Sequence, residues 1–172
     1  MFTLSRIESD LLSQLLRYHV SFVIVGSKAM QLLGLPREAL DLNLLIDRRD
    51  DNLKRLVDAF SVPPEKTAAF LLQMSRFGGV LNVPQQRPFL YRLFTIREGQ
   101  DYDEIHRRAI PLQIGDEHFC FASVVDQSAM KIILIREGQY ELDRGNHAEE
   151  VTRLLQNQLR RDVDDLEILR GL

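Results

Sequence analysis

The sequence is short of cysteine and of long apolar runs, and each shortage excludes a class of protein. Cys120 is the single cysteine among 172 residues, so the chain has no internal disulfide framework and no cysteine cluster for zinc. Apolar runs such as Phe22 to Val25 are far shorter than the roughly 20 residues that cross a bilayer. Arg6, Glu8 and Asp10 interrupt any signal-peptide core. We therefore expect a soluble, cytoplasmic protein without membrane association.

Lysine is also scarce, and neither sign of charge dominates. The chain has 22 basic and 25 acidic residues and a formal net charge of -3, so its surface as a whole does not attract nucleic acid. A local basic face remains open. Of the basic residues, 18 are arginine and 4 are lysine. Lys28 and Lys131, which lie in apolar stretches, are therefore candidates for a particular role.

Helical and strand-like apolar periodicities are mixed along the chain, and no repeat or Gly/Ser linker interrupts them. This order predicts an α/β or α+β domain, with a small mixed sheet flanked by helices over residues 1–144 and C-terminal helices over 145–172. The stretch from Gly78 to Pro88 is expected to be a mobile loop. Strands are expected over Val20–Val25, Leu40–Ile46, Phe89–Ile96, Pro111–Ile114 and Glu117–Phe121, the last two as a hairpin around Gly115-Asp116.

The turn after the first predicted strand is a candidate phosphate site. Gly26 and Ser27 follow the strand directly, and a short helix is expected from Lys28 to Leu33. Free backbone N–H groups and the positive end of a helix dipole would meet there, and phosphate oxygens bind well to that combination. Gly26 would permit close approach of the backbone, and the Ser27 hydroxyl could donate a hydrogen bond. Taken alone, Gly-Ser at a strand end is more often simply the start of a helix.

Two polar residues interrupt the next predicted strand. Asp41 and Asn43 alternate with leucines in the segment Leu40 to Ile46, so both side chains lie on one face of the strand. Placing them in an apolar run costs free energy unless they reach water, a ligand or a metal. Carboxylate and amide oxygens are ligands for magnesium, which is usually bound together with substrate phosphates.

These residues resemble the signature of the nucleotidyltransferase superfamily with the DNA polymerase β type fold. That pattern is Gly-Ser, a short helix and then Asp-x-Asp on the next strand. Here it reads Gly26-Ser27 and Asp41-Leu42-Asn43, with Arg37 just before the strand. The resemblance is greatest to small prokaryotic members, including those of toxin–antitoxin and abortive-infection systems. Met130-Lys131 and the segment Asp162 to Leu169 also resemble later parts of such proteins.

The resemblance implies a function. Such an enzyme transfers a nucleoside monophosphate from a nucleoside triphosphate to a hydroxyl group of a protein, an RNA or a small molecule. Asp41 and Asn43 would be the catalytic metal ligands for magnesium. Nucleotide-binding residues would be Gly26, Ser27, Lys28, Arg37, Arg92 and Lys131.

The departures from the family pattern are equally informative. Active members hold two magnesium ions with three carboxylates, whereas the second position here is Asn43 and the third falls near Arg92. An amide brings no negative charge and a guanidinium repels a metal ion, so magnesium would bind weakly or not at all. Arg92 could instead bind a phosphate or take the place of the metal. Asp101 or Asp103 could supply the third carboxylate, although both also suit a helix start.

Three interpretations remain open from the sequence. The protein is an active nucleotidyltransferase, or it is a catalytically degenerate module for nucleotide sensing or partner binding, such as an antitoxin-like or regulatory component. The third is an unrelated α/β binding domain. A protein or RNA partner and a homodimer are both compatible with the sequence. Convergence of Asp41, Asn43 and Arg92 beside Ser27 is the spatial expectation that separates the first two interpretations from the third.

Overall fold

The computed structural model describes residues 4–36, 39, 41–76, 80–84, 90–95, 101–145 and 147–172. The chain divides into two compact units, Met1–Ser123 and Val124–Leu172. The boundary lies before residue 145, where the C-terminal helices are expected to begin. The reason is that the long helix Val124–Arg144 belongs to the second unit. The expectation of a single domain stays a prediction. No helix among the described residues is long and apolar enough to cross a membrane.

Within the described residues the first unit has five helices and six strands, and the second unit has two long helices. The elements of the first unit are α1 (Arg6–Arg17), β1 (Phe22–Val25), α2 (Gly26–Leu32), β2 (Asp41–Ile46), α3 (Asp50–Ala59), α4 (Pro64–Ser75), β3 (Val80–Pro84), β4 (Leu90–Phe94), α5 (Tyr102–Arg108), β5 (Ile110–Ile114) and β6 (Glu117–Phe121). The second unit contains α6 (Val124–Arg144) and α7 (Glu149–Arg170).

The strands form one mixed sheet in the order β3-β4-β2-β1-β6-β5. The central strand β1 runs antiparallel to β2 and parallel to β6, and β2 runs parallel to β4. The expected mixed sheet flanked by helices is therefore confirmed. The predicted hairpin is also confirmed, because β5 and β6 pair antiparallel on either side of Gly115-Asp116.

The main apolar core lies on one face of the sheet. Ile24 of β1, Leu42 and Leu44 of β2 and Leu93 of β4 belong to it, together with leucines of α1 and α3. Since side chains alternate along a strand, the residues between these point to the other face. The other face therefore carries Val23, Val25, Asp41, Asn43, Leu45 and Arg92.

Local sequence signals explain how several helices begin. Ser5 accepts a hydrogen bond from the Glu8 N–H, and the Glu8 side chain accepts from the Ser5 N–H, which is a complete capping box. Pro64 occupies the first turn of α4, where its missing N–H costs nothing. Asp101 caps α5 by accepting from two backbone N–H groups.

One expectation is wrong. The interval from Gly78 to Pro88 was expected to be loop, but residues Val80 to Pro84 form the edge strand β3, paired antiparallel with β4. Val80, Leu81 and Val83 favour a strand, and a proline is tolerated there because an edge strand leaves one row of its backbone groups unpaired. Residues 77–79 and 85–89 lie outside the described part of the chain.

Candidate functional site

The turn between β1 and α2 lies against Asn43 of the neighbouring strand. Gly26 is the first residue of α2 and has a φ of +68°, a conformation that favours glycine. A Cβ atom placed on Gly26 would lie 2.9 Å from Asn43 Nδ2 and 3.4 Å from Asn43 Cβ. Glycine is thus required by conformation and by space. The structure brings this turn and Asn43 together, while their role in binding stays a prediction.

Strand register brings Arg92 to the same place. Val25 of β1 pairs with Asn43 of β2, and Asn43 pairs with Arg92 of β4. Paired residues on adjacent strands point to the same face of a sheet, so the Asn43 and Arg92 side chains are neighbours. Asp41, two residues before Asn43, lies on that face at the start of β2. We call Gly26, Ser27, Asp41, Asn43 and Arg92 the Asn43 site.

Asn43 has an unusual polar environment. Its side chain is 9% exposed, and within the described part of the chain its Oδ1 atom has no hydrogen-bond partner. A buried acceptor without a partner costs about 1–3 kcal/mol. An atom of that kind beside a glycine turn and an arginine indicates a place where a donor from a ligand or water belongs.

The other residues predicted for the turn are placed as follows. Ser27 is partly buried, and Asp41 is partly exposed. Arg37 lies outside the described residues. Helix α2 has only 7 residues, fewer than two full turns, so its dipole adds little to the binding of an anion. Side chains would have to supply most of the charge.

Lys28 forms a buried ion pair instead of projecting from the turn. Its Nζ lies 2.8 Å from Glu8 Oε1, and the two side chains are 7% and 4% exposed. The other carboxylate oxygen of Glu8 accepts from the N–H and the Oγ of Ser5, at 2.7 and 2.9 Å. This contact connects α1 to α2 and supports a structural role for Lys28. Contact of Lys28 with a nucleotide stays a prediction.

Lys131 is also buried, in the second unit. Its Nζ lies 2.7 Å from Asp162 Oδ1 and 2.6 Å from Asp165 Oδ2. Gln158 donates to the other oxygen of Asp162 at 3.1 Å. These two carboxylate partners of Lys131 are not predicted from the sequence, and contact of Lys131 with a nucleotide stays a prediction. The sequence does contain one indication of an acidic partner site: Asp162 and Asp165 are three residues apart, so both lie on one face of a helix.

The side chains at the Asn43 site do not provide the ligands that a two-metal centre needs. Asp41 is a carboxylate, Asn43 is neutral and Arg92 is a cation, whereas hard divalent cations require several oxygen ligands with negative charge. The alternative donors are occupied: Asp101 caps α5, and Asp103 lies 3.6 Å from the guanidinium of Arg49. Within the described residues, no group of three or more His, Cys, Asp or Glu side chains could hold a metal ion.

A cavity of about 270 Å³ opens near the start of β1, away from the turn at its end. Burial raises the pKa of the Cys120 thiol to about 11, so the thiol is neutral at physiological pH. It donates to the Phe22 carbonyl at 3.6 Å. Most of the wall is apolar or aromatic, which suits a polyphosphate poorly. The lining residues are Leu16, Val20, Ser21, Phe22, Tyr102, His106, His118, Phe119 and Cys120.

Comparison with known proteins gives a likeness in fold. No protein-family model matches the sequence, and no curated protein matches it significantly. A provisionally assigned nucleotidyltransferase from Thermotoga maritima superimposes with a TM-score of 0.59 at 15% identity, over 81% of this chain and 89% of that one. An antigenic nucleotidyltransferase-like protein from Paracoccidioides brasiliensis gives a TM-score of 0.43 at 17% identity, over 95% of this chain and 73% of that one. The Thermotoga structure shows that this chain has a nucleotidyltransferase-like fold.

Proposed function

We propose that the protein binds a nucleoside triphosphate at the Asn43 site. The observation that carries this proposal is the buried, unpartnered Oδ1 of Asn43, a residue whose side chain lies against Gly26 through its Nδ2 atom and whose register partner is Arg92. The nucleotidyltransferase-like fold supports the same ligand class.

The chemistry of the site suits a polyphosphate attached to a sugar. The guanidinium of Arg92 can bind phosphate oxygens through paired N–H donors. Gly26 has no side chain of its own, which lets the Asn43 side chain lie directly against the turn where a ligand would bind. Asn43 Oδ1 is buried and has no partner among the described residues, so it could accept from a ribose hydroxyl once the Asn43 side chain turns toward the ligand.

Binding without turnover is the activity that the site supports best. Asn43 and Arg92 stand on adjacent strands, at positions where the resemblance implies carboxylates that hold metal. The protein would then act as a nucleotide-sensing or partner-binding module, as an antitoxin-like or regulatory component does. A protein, an RNA or a second copy of the chain would read the bound state.

Transfer of a nucleoside monophosphate is the second candidate, and the retained carboxylate of Asp41 favours it. In that reaction an acceptor hydroxyl oxygen bonds to the α-phosphate, the bond between the α- and β-phosphates breaks, and pyrophosphate leaves with the hydroxyl proton passing to solvent. The acceptor would be a hydroxyl group of a protein, an RNA or a small molecule.

Calorimetric titration with ATP, GTP, CTP and UTP tests the proposal, each with and without magnesium or manganese. Saturable binding of at least one triphosphate is expected. Gly26→Ala should weaken it strongly, because the new Cβ atom would lie 2.9 Å from Asn43 Nδ2. Gly34→Ala is the matched control, since Gly34 also has a positive φ but no atom within 4 Å of its would-be Cβ.

Two outcomes separate the candidates. Release of pyrophosphate that Asp41→Ala abolishes would establish transfer, whereas saturable binding without pyrophosphate release would establish the binding module. Absence of binding by all four triphosphates under every condition would overturn the proposal.

A further inference from the structure

We infer that the Asn43 site binds the phosphates of its ligand without a divalent cation, with the guanidinium of Arg92 supplying the positive charge. This inference rests on the proposed function and specifies how the same site holds its ligand. Three features of the described residues carry it: the register of Arg92, its lack of an acidic partner and the neutrality of Asn43.

The first feature is the position of Arg92 in the sheet. Arg92 pairs with Asn43, and its neighbour Leu93 belongs to the apolar core. Because side chains alternate along β4, the Arg92 side chain points to the face that carries Asn43 and Asp41. Arg92 is partly buried, so its charge is less screened by water than that of a fully exposed arginine. The guanidinium therefore belongs to the Asn43 site and not to the core face.

The second feature is the charge balance. Among the described residues no carboxylate forms an ion pair with Arg92, whereas Arg49 and Arg55 both have acidic partners within 4 Å. A magnesium ion placed here would add two positive charges beside the guanidinium, with only Asp41 to offset them. Electrostatic repulsion would disfavour that arrangement. A triphosphate, in contrast, brings the negative charge that the guanidinium lacks.

The third feature is the amide at position 43. An aspartate there would face the guanidinium across the strand pair and would neutralise it within the protein. Asn43 fills the same space without charge, and its buried Oδ1 has no hydrogen-bond partner among the described residues. The combination keeps the charge of Arg92 available for a ligand.

The test is the metal dependence of binding, measured with ATP and with inorganic triphosphate in EDTA and in excess magnesium chloride. Binding in EDTA should be at least as tight as in magnesium, since magnesium neutralises part of the phosphate charge that Arg92 would contact. Arg92→Gln should weaken binding in EDTA by about tenfold to a hundredfold, the loss typical of hydrogen bonds to a charged group. Arg107→Gln, at an exposed position of α5, should leave the affinity unchanged.

A double substitution should make ATP binding depend on a divalent cation. Asn43→Asp combined with Arg92→Asp places two further carboxylates beside Asp41, so ATP binding should become dependent on magnesium or manganese. Asn43→Asp alone should weaken binding in EDTA, because the new carboxylate pairs with Arg92. Circular dichroism of each variant establishes that it is folded before binding is compared.

The outcomes distinguish this inference from the proposed function. ATP binding that requires magnesium or manganese in the unmodified protein overturns the inference and leaves the proposed function intact. Unchanged affinity of folded Arg92→Gln in EDTA also overturns the inference. Failure of the unmodified protein to bind ATP or inorganic triphosphate under any condition overturns both.

Discussion

Two buried lysines, one in each unit, differ in the described carboxylates that contact them. The ammonium of Lys28 lies 2.8 Å from the carboxylate of Glu8, and we call this contact the simple pair. Lys131 contacts two carboxylates, those of Asp162 and Asp165, so this triad has a net charge of about -1 when all three groups are ionised. All five side chains are 7% exposed or less.

The comparison shows that burial of a lysine does not by itself indicate a ligand site. The resemblance to nucleotidyltransferases implies that both lysines contact a nucleotide. In the structure each ammonium group is held by carboxylates at hydrogen-bonding distance. Arg92 differs from both, since no described carboxylate pairs with it. Nucleotide contact by Lys28, Lys131 and Arg92 stays a prediction for all three, and the described ion pairs set the two lysines apart from the arginine.

Removing the ammonium of the triad should have the largest effect on stability. Lys131→Met leaves two carboxylates buried near each other, and breaking a buried ionic network in this way costs about 3–5 kcal/mol. Urea denaturation followed by circular dichroism measures the loss. Lys66→Met, the same change at an exposed position, is the control. A loss below about 1 kcal/mol for Lys131→Met, a value typical of exposed ion pairs, would contradict the assigned role.

Removing the ammonium of the simple pair should cost less. Lys28→Met leaves Glu8 buried, but that carboxylate keeps its hydrogen bonds from Ser5. We expect a loss of about 1–3 kcal/mol in the same urea experiment, the cost of an incompletely satisfied buried group. A loss equal to or larger than that of Lys131→Met would remove the distinction between the pair and the triad.

Neutralising one acid of the triad should make it similar to the simple pair. Asp165→Asn leaves Lys131 and Asp162 as a one-to-one ion pair at 2.7 Å. Because the substitution keeps the ion pair of Lys131 with Asp162 and leaves an amide in place of the second carboxylate, the expected change is within about 1 kcal/mol of zero, far from the cost of stranding a buried charge. A loss comparable to that of Lys131→Met would show that both carboxylates are required.

Among these ion pairs, the exposed pair of Arg55 and Asp51 should contribute least to stability. The two groups lie 3.1 Å apart in α3, four residues apart in sequence, and both are well exposed. Arg55→Ala should cost about 0.5 kcal/mol, since exposed helical pairs of this spacing contribute little. Its effect should also shrink at high salt, as shown by repeating the urea titration in sodium chloride. A loss above about 2 kcal/mol would indicate a larger role for its hydrogen bond to the His19 carbonyl.

Features of the fold that depend on neighbouring residues in the sequence were predicted correctly. The polar alternation of β2 and the hairpin around Gly115 are short-range features, in which neighbouring residues determine the backbone. The strand β3 was missed because glycines and prolines flank its apolar residues, and its pairing with β4 depends on residues that follow it in the chain.

The sequence by itself determined the mixed order of the predicted helices and strands, without β3, and the presence of two polar residues in the apolar strand β2. Only the tertiary structure decided which side chains meet: Glu8 with Lys28, Gly26 with Asn43, and Asn43 with Arg92. Periodicity specifies which face of an element is apolar, but a polar contact between distant segments depends on strand register and helix packing. Those long-range choices place both lysines against carboxylates and place Arg92 beside Asn43 in the strand register.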